Sequence, residues 1–227
     1  MQGRSRTRSQ TMTPSEAAEL IATWEIIANA EREPEVMLRE TNLDEAIVRL
    51  NRLILCGVAD AFYPLGYAYY CHPQYVVTDS IPNRQCYQAL KKSVQLKIEP
   101  VLSRLYLAYD RFDHQVYDEA LVWLEHLTTS HFAEDIRTRF CELRLCCQIQ
   151  RKGIINSLDQ IEEFAAYVRS LPGWDPCPRL LLKVLATGLP HENVTLKMER
   201  VLELLDAAYP MMSERVFRNL ACHTPAK

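Results

Sequence analysis

The chain predicts an all-α protein, an α-solenoid of antiparallel helix pairs with about ten helices. Three observations carry that expectation. Only six of the 227 residues are glycine, where average usage would give about 16, while Leu, Ala, Glu and Arg are abundant. Apolar residues recur at three- and four-residue intervals, and no alternating pattern persists long enough to anchor a sheet. The phrase Asp44-Glu45-Ala46-Ile47-Val48-Arg49-Leu50 returns as Asp118-Glu119-Ala120-Leu121-Val122-Trp123-Leu124, the mark of a repeated structural unit.

Thr13-Pro14-Ser15-Glu16 opens the first helix with a capping hydroxyl, a proline in the first turn and an early acid. Leu20, Ile21, Trp24, Ile27 and Ala28 form its apolar stripe, and Pro34 lies beyond its end. Thr41 or Asn42 caps the second helix, whose inward positions are Ile47, Leu50, Leu53 and Ile54; Gly57 closes it, because glycine tolerates a positive φ. The third begins at Phe62-Tyr63-Pro64 and runs to Tyr70, and Gly66 and Ala68 leave room for a close neighbour. His72-Pro73 stops it, and a loop spans Pro73 to Pro82.

A helix over 83–96 turns Tyr87, Leu90 and Val94 inward, and one from Pro100 carries Leu102, Leu105, Tyr106 and Tyr109. The second copy of the phrase lies in a helix over 117–127. A longer one over 132–150 places Ile136, Phe140, Leu143 and Cys147 on one face and ends at Gly153. A helix over 157–171 is followed by Pro172-Gly173-Trp174-Asp175-Pro176-Cys177-Pro178, the sharpest internal break. Helices near 179–187, 192–208 and 211–221 complete the chain. The expected division is a basic tail without regular structure over 1–12, a helical-repeat domain over 13–153, a C-terminal helical extension packed on the repeats over 154–221, and a short tail over 222–227.

The repeated units carry a resemblance. Asp44-Glu45-Ala46-Ile47 is followed by Gly57, Ala59, Ala61, Leu65-Gly66 and Tyr69-Tyr70; Tyr87-Gln88-Ala89-Leu90 precedes Leu105-Tyr106-Leu107-Ala108-Tyr109; and Tyr117 to Leu124 opens a third unit. This pattern resembles the tetratricopeptide superfamily, and more closely its Sel-like repeats, over about residues 40–150. The resemblance implies helices nested through small residues, gaps filled by aromatics, and a superhelical surface that binds rather than catalyses.

Composition narrows the function. A net charge of -3 and a sequence pI near 6.1 disfavour a protein whose main task is coating nucleic acid. No run of about 18 apolar residues supports a membrane span, so membrane insertion is not expected. Eight cysteines without a secretory signal point to a reducing compartment, so an intracellular location is expected, the cytoplasm first and the mitochondrial matrix or nucleus as alternatives. Arg4, Arg6 and Arg8 stand in an acid-poor start that lacks the apolar face of a presequence.

No cofactor, metal or catalytic residue is expected. The chain has no glycine-rich phosphate loop, no Gly-x-Ser-x-Gly elbow and no Cys-x-x-Cys, and Thr195 stands where a second histidine would complete a zinc motif begun by His191-Glu192. Cys71, His72 and Cys86, or Cys141, Cys146 and Cys147 with His126 and His131, lack paired-ligand spacing and read as buried small side chains and surface polar groups. Two surfaces remain. Tyr63, Tyr67 and Tyr70 share one helical stripe, in the densest run of tyrosines in the chain, and are expected to offer an exposed contact patch. Arg137, Arg144 and Arg151 recur every seven residues as a basic stripe continued by Lys152, for which Glu31, Glu33, Glu35 and Glu40 are candidate acidic counterparts. The expected function is a non-enzymatic adaptor or assembly factor that binds a segment of a partner protein. The alternatives are RNA binding through the Arg137–Lys152 stripe and an enzyme with an unrecognised helical active site.

Overall fold

The computed structural model describes residues 12–153 and 155–170, with Leu180, Leu181, Val184 and Glu203 beyond them. The four isolated residues are helical. The remainder of the helices expected at 179–187 and 192–208, the helix at 211–221, the segment 172–178 and the tails over 1–11 and 222–227 lie outside the described residues. Among the described residues there are eight α-helices, four short 3₁₀ turns and no strand, so the protein is all-α. Among the described residues no helix is long and apolar enough to cross a membrane. The chain divides into two compact units, Met1–Asp110 and Arg111–Lys227.

The first unit holds α1 (Pro14–Arg32), α2 (Val36–Leu55), α3 (Phe62–Cys71), α4 (Ile81–Leu96) and most of α5 (Pro100–Asp113). The start of α1 forms as its sequence predicts. The Thr13 hydroxyl accepts the Glu16 N–H at 3.2 Å while the Glu16 carboxylate accepts the Thr13 N–H at 2.7 Å, closing a capping box. That backbone hydrogen bond, with a second from the Thr13 hydroxyl, lowers the Glu16 pKa. The buried stripe is Thr23, Ile27 and Ala30, and Ile21, expected inward, is 62% exposed.

α2 begins earlier than expected. Pro34 ends the preceding run and the helix restarts at Val36, so Thr41 is not a cap: its hydroxyl donates to the Met37 carbonyl at 2.9 Å, within the helix. Gly57 closes α2 at φ 94°, and the Val58 N–H returns to the Leu53 carbonyl at 3.0 Å. α2 packs on α1 and α3, and α3 packs on α4. The α3–α4 approach depends on Gly66, where a Cβ would stand 2.6 Å from Leu90 Cγ and 3.0 Å from the Leu90 backbone nitrogen. The Cys86 thiol donates to the Gly66 carbonyl at 3.5 Å across the same contact.

The expected loop over 73–82 contains a 3₁₀ turn, Pro73–Val76, and α4 starts at Ile81 with Ser80 as its cap. The α4 face buries Cys86, Ala89, Leu90 and Ser93, leaving Tyr87 and Val94 half-buried. α4 ends without glycine: Lys97 takes φ 60°, and the Ser93 hydroxyl holds the turn by donating to the Ile98 carbonyl at 2.6 Å.

The second unit holds α6 (Tyr117–Glu125), α7 (Glu134–Lys152) and α8 (Leu158–Arg169), with α7 packed against both neighbours. Phe140, Leu143, Cys146 and Cys147 on α7 and Ile161, Phe164, Ala165 and Val168 on α8 form its core. Gly153 ends α7 at φ 81°. Glu142 is buried, and its carboxylate accepts the Leu181 N–H at 2.9 Å. Burial raises its pKa, opposed by the N–H groups of Leu181 and Leu180 and by the charge of Arg139.

Candidate functional site

The two copies of the repeated phrase do the same work in their own units. Ala46 and Leu50 are fully buried in α2, and Ala120 and Leu124 are buried in α6. The aspartate that opens each copy stays exposed and reaches the end of the following helix. Asp44 Oδ1 lies 3.3 Å from Nε2 of His72, which caps α3, and Asp118 Oδ1 lies 2.8 Å from Nε of Arg151 in the last turn of α7.

The tyrosine stripe lies on α3 and is part of a longer aromatic run. Trp24 of α1 contacts Tyr63 and Tyr67 with ring centroids 5.7 and 5.9 Å apart. Tyr106 of α5 meets Tyr67 edge-on at 4.7 Å and Tyr70 at 5.4 Å, and Tyr109 joins at 6.0 Å from Tyr106. The expectation of an exposed stripe is corrected in part. Tyr63 is buried beneath its neighbours, whereas Trp24, Tyr67, Tyr70, Tyr106 and Tyr109 are half-buried.

At the edge of this run the Glu31 carboxylate accepts hydrogen bonds from the Tyr67 hydroxyl and, at 3.8 Å, from the Cys71 thiol. Burial is the main cause that pushes the Tyr63 and Tyr67 hydroxyls up, with neighbouring charges and phenols adding to it. Cys71 is pushed up to about 12, by burial first and the Glu31 charge second. All three therefore stay protonated near neutral pH, and the charge on the face is that of the carboxylates.

The arginine stripe on α7 is not continuous. Arg137 turns back on its own unit, with Nε donating to the Thr129 carbonyl at 3.0 Å and a terminal nitrogen to the Phe132 carbonyl at 3.1 Å. Arg151 pairs with Asp118. Arg144 alone of the three makes no hydrogen bond or ion pair among the described residues, and it borders a cleft of about 360 Å³ between α7 and α8. Phe140, Leu145 and Phe164 contribute to its apolar lining, and Gln148, Gln160, Glu163 and Tyr167 to its polar one. Three of the four acids expected as counterparts are engaged locally: Glu31 with Tyr67, Glu40 with the Gln74 side-chain amide, and Glu33 with the Glu35 N–H.

One cluster was not foreseen in the sequence. Glu40, Asp44 and His72 bring one ligand-type atom each to within 4.8 Å of one another. The histidine argues against a metal there. Its Nδ1 accepts the Gln74 N–H at 3.1 Å, so the proton of the ring sits on Nε2, the atom that faces the carboxylates. A metal-binding histidine instead donates its second ring N–H outward. The Gln74 side-chain amide holds the Pro73–Val76 turn to Glu40 of α2, and His72 Nε2 faces Asp44 without a hydrogen bond.

Four thiols among the described residues are poor nucleophiles. Burial pushes up Cys141, Cys146 and Cys147 as well as Cys71, which lowers their thiolate fraction at neutral pH. No family model, curated protein or solved structure matches the chain.

Proposed function

We propose that the protein is a non-enzymatic interaction module, an adaptor or assembly factor that holds a segment of a partner protein on the aromatic face of α1, α3 and α5. The observation that carries this reading is the aromatic run itself. Three separate helices supply it, and four of its tyrosines with Trp24 remain half-exposed. Tyrosine and tryptophan give large contact area at low entropic cost, and they are enriched where protein surfaces meet.

Two further points support it. α1, α3 and α5 alternate along the chain, as they would in stacked helix pairs, where alternate helices line one face. The recurrent tie from each phrase aspartate to the end of the next helix fits the same solenoid of antiparallel pairs. The raised thiol pKa values and the internal engagement of Arg137 and Arg151 favour this reading over catalysis and over RNA binding along the stripe.

Affinity capture with the full chain from extracts of its source cells, compared with the Tyr67→Ala/Tyr70→Ala double variant, tests the proposal. A stoichiometric protein partner that the double variant loses, while its thermal melt still shows a folded protein, is the expected result. Equal capture by both chains, or ribonuclease-sensitive capture dependent on Arg144, would overturn it.

A further inference from the structure

Resting on that reading, we infer that the aromatic face takes a basic segment, with an arginine or lysine of the partner seated over the tyrosine rings beside Glu31. The face is chemically one-sided. Its hydroxyls and the Cys71 thiol are neutral groups around Glu31, and the charge of Glu99 also acts on Tyr63. Neither Glu31 nor Glu99 forms an ion pair with a cation among the described residues.

The charge of Arg39 of α2 acts on Cys71. The Arg39 Nε is buried without a hydrogen-bond partner, and no ion pair joins Arg39 to Glu31 among the described residues. Residues 13–110 carry thirteen acidic side chains against nine lysines and arginines, so the wider unit repels an acidic ligand.

A cation on an apolar stem satisfies both halves of the face. The stem packs on the rings of Trp24, Tyr67 and Tyr106, the charge is attracted to their π faces, and the head meets a carboxylate that lacks a counter-ion.

The test is fluorescence anisotropy of the full chain with a labelled hexa-arginine peptide at about 50 mM salt, where exposed charges are weakly screened. Glu31→Gln is the decisive variant, since its amide oxygen still accepts from Tyr67 and the fold keeps that bond. Binding should weaken about fivefold or more in Glu31→Gln, and stay within about twofold in Glu45→Gln, whose carboxylate already pairs with Arg49.

Tyr67→Phe removes the hydroxyl that competes for Glu31, and the peptide should bind it at least as tightly as it binds the wild type. Equal losses in Glu31→Gln and Glu45→Gln, no binding at all, or equal binding of hexa-glutamate overturns the inference. The capture experiment separates the two claims. A partner that survives Glu31→Gln but is lost with Tyr67→Ala/Tyr70→Ala sinks the basic segment and leaves the interaction module standing.

Discussion

The pair α2–α3 and the pair α6–α7 begin with the same phrase and present opposite chemistries. In both, the alanine and the final leucine of the phrase are buried and its aspartate reaches the end of the next helix. The helix that follows carries Tyr63, Tyr67 and Tyr70 in one pair and Arg137, Arg144 and Arg151 in the other. Close packing constrains the inward positions to one solution, because a core tolerates few changes of volume. The outward positions carry no such constraint, and there Arg137 and Arg151 find nearby carbonyls and an acid while Tyr67 and Tyr70 stay half-exposed. What repeats is the frame; what each pair displays is free to differ.

The largest effect expected is on the frame. Leu50→Ala and Leu124→Ala each delete a fully buried side chain from an equivalent position, and each should cost about 2–5 kcal/mol. Denaturant unfolding followed by hydrogen exchange would assign each loss to its own unit. A cost below about 1 kcal/mol for either leucine would end the claim that the two copies play the same role.

The next effect separates the pairs. Gly66 lets α3 approach α4, and Gly66→Ala places a methyl group against both the side chain and the backbone of Leu90, so a cost of about 1–3 kcal/mol is expected by overpacking. Gly153→Ala meets open space and suffers only from its positive φ with an extended ψ, for a loss of about 1–3 kcal/mol. Thermal melts of the two variants distinguish a glycine kept for contact from one kept for conformation.

These glycines also show what the sequence could reveal. Gly57 and Gly153 stood where apolar periodicity ceased, and both were legible as helix ends. Gly66 was legible as a place for close approach, but not its neighbour Leu90, which is 24 residues away. The start of α2 differs from the expectation because a threonine hydroxyl satisfies either a cap or a carbonyl four residues back, and local sequence does not choose between them. The arginine spacing gave the stripe, yet its interruption depends on the Thr129 and Phe132 carbonyls and on Asp118, contacts set by tertiary structure. Local sequence marks Glu31 as an acid and leaves its partner open, since its bond to Tyr67 spans 36 residues.

A smaller effect tests the arginines one by one. Arg137→Ala removes two hydrogen bonds to backbone carbonyls and should cost about 1–2 kcal/mol, whereas Arg144→Ala should lie within about 0.5 kcal/mol of wild type. Equal costs in denaturant unfolding would mean that Arg144 is held by the fold as firmly as Arg137. The stripe would then be wholly structural.

The smallest effect sharpens the comparison at the rim. Asp118→Asn breaks an exposed ion pair with Arg151, which is worth about 0.2–1 kcal/mol at low salt and is screened at about 0.5 M. Asp44→Asn acts on a different contact. His72 is buried and its Nδ1 accepts the Gln74 N–H, so the ring facing Asp44 is neutral and presents an N–H dipole rather than a full charge. Salt should therefore erase the cost of Asp118→Asn and leave that of Asp44→Asn largely unchanged. If both vanish together, His72 carries a proton on each nitrogen, the Gln74 N–H loses its acceptor, and the two aspartates are charge clamps of one kind.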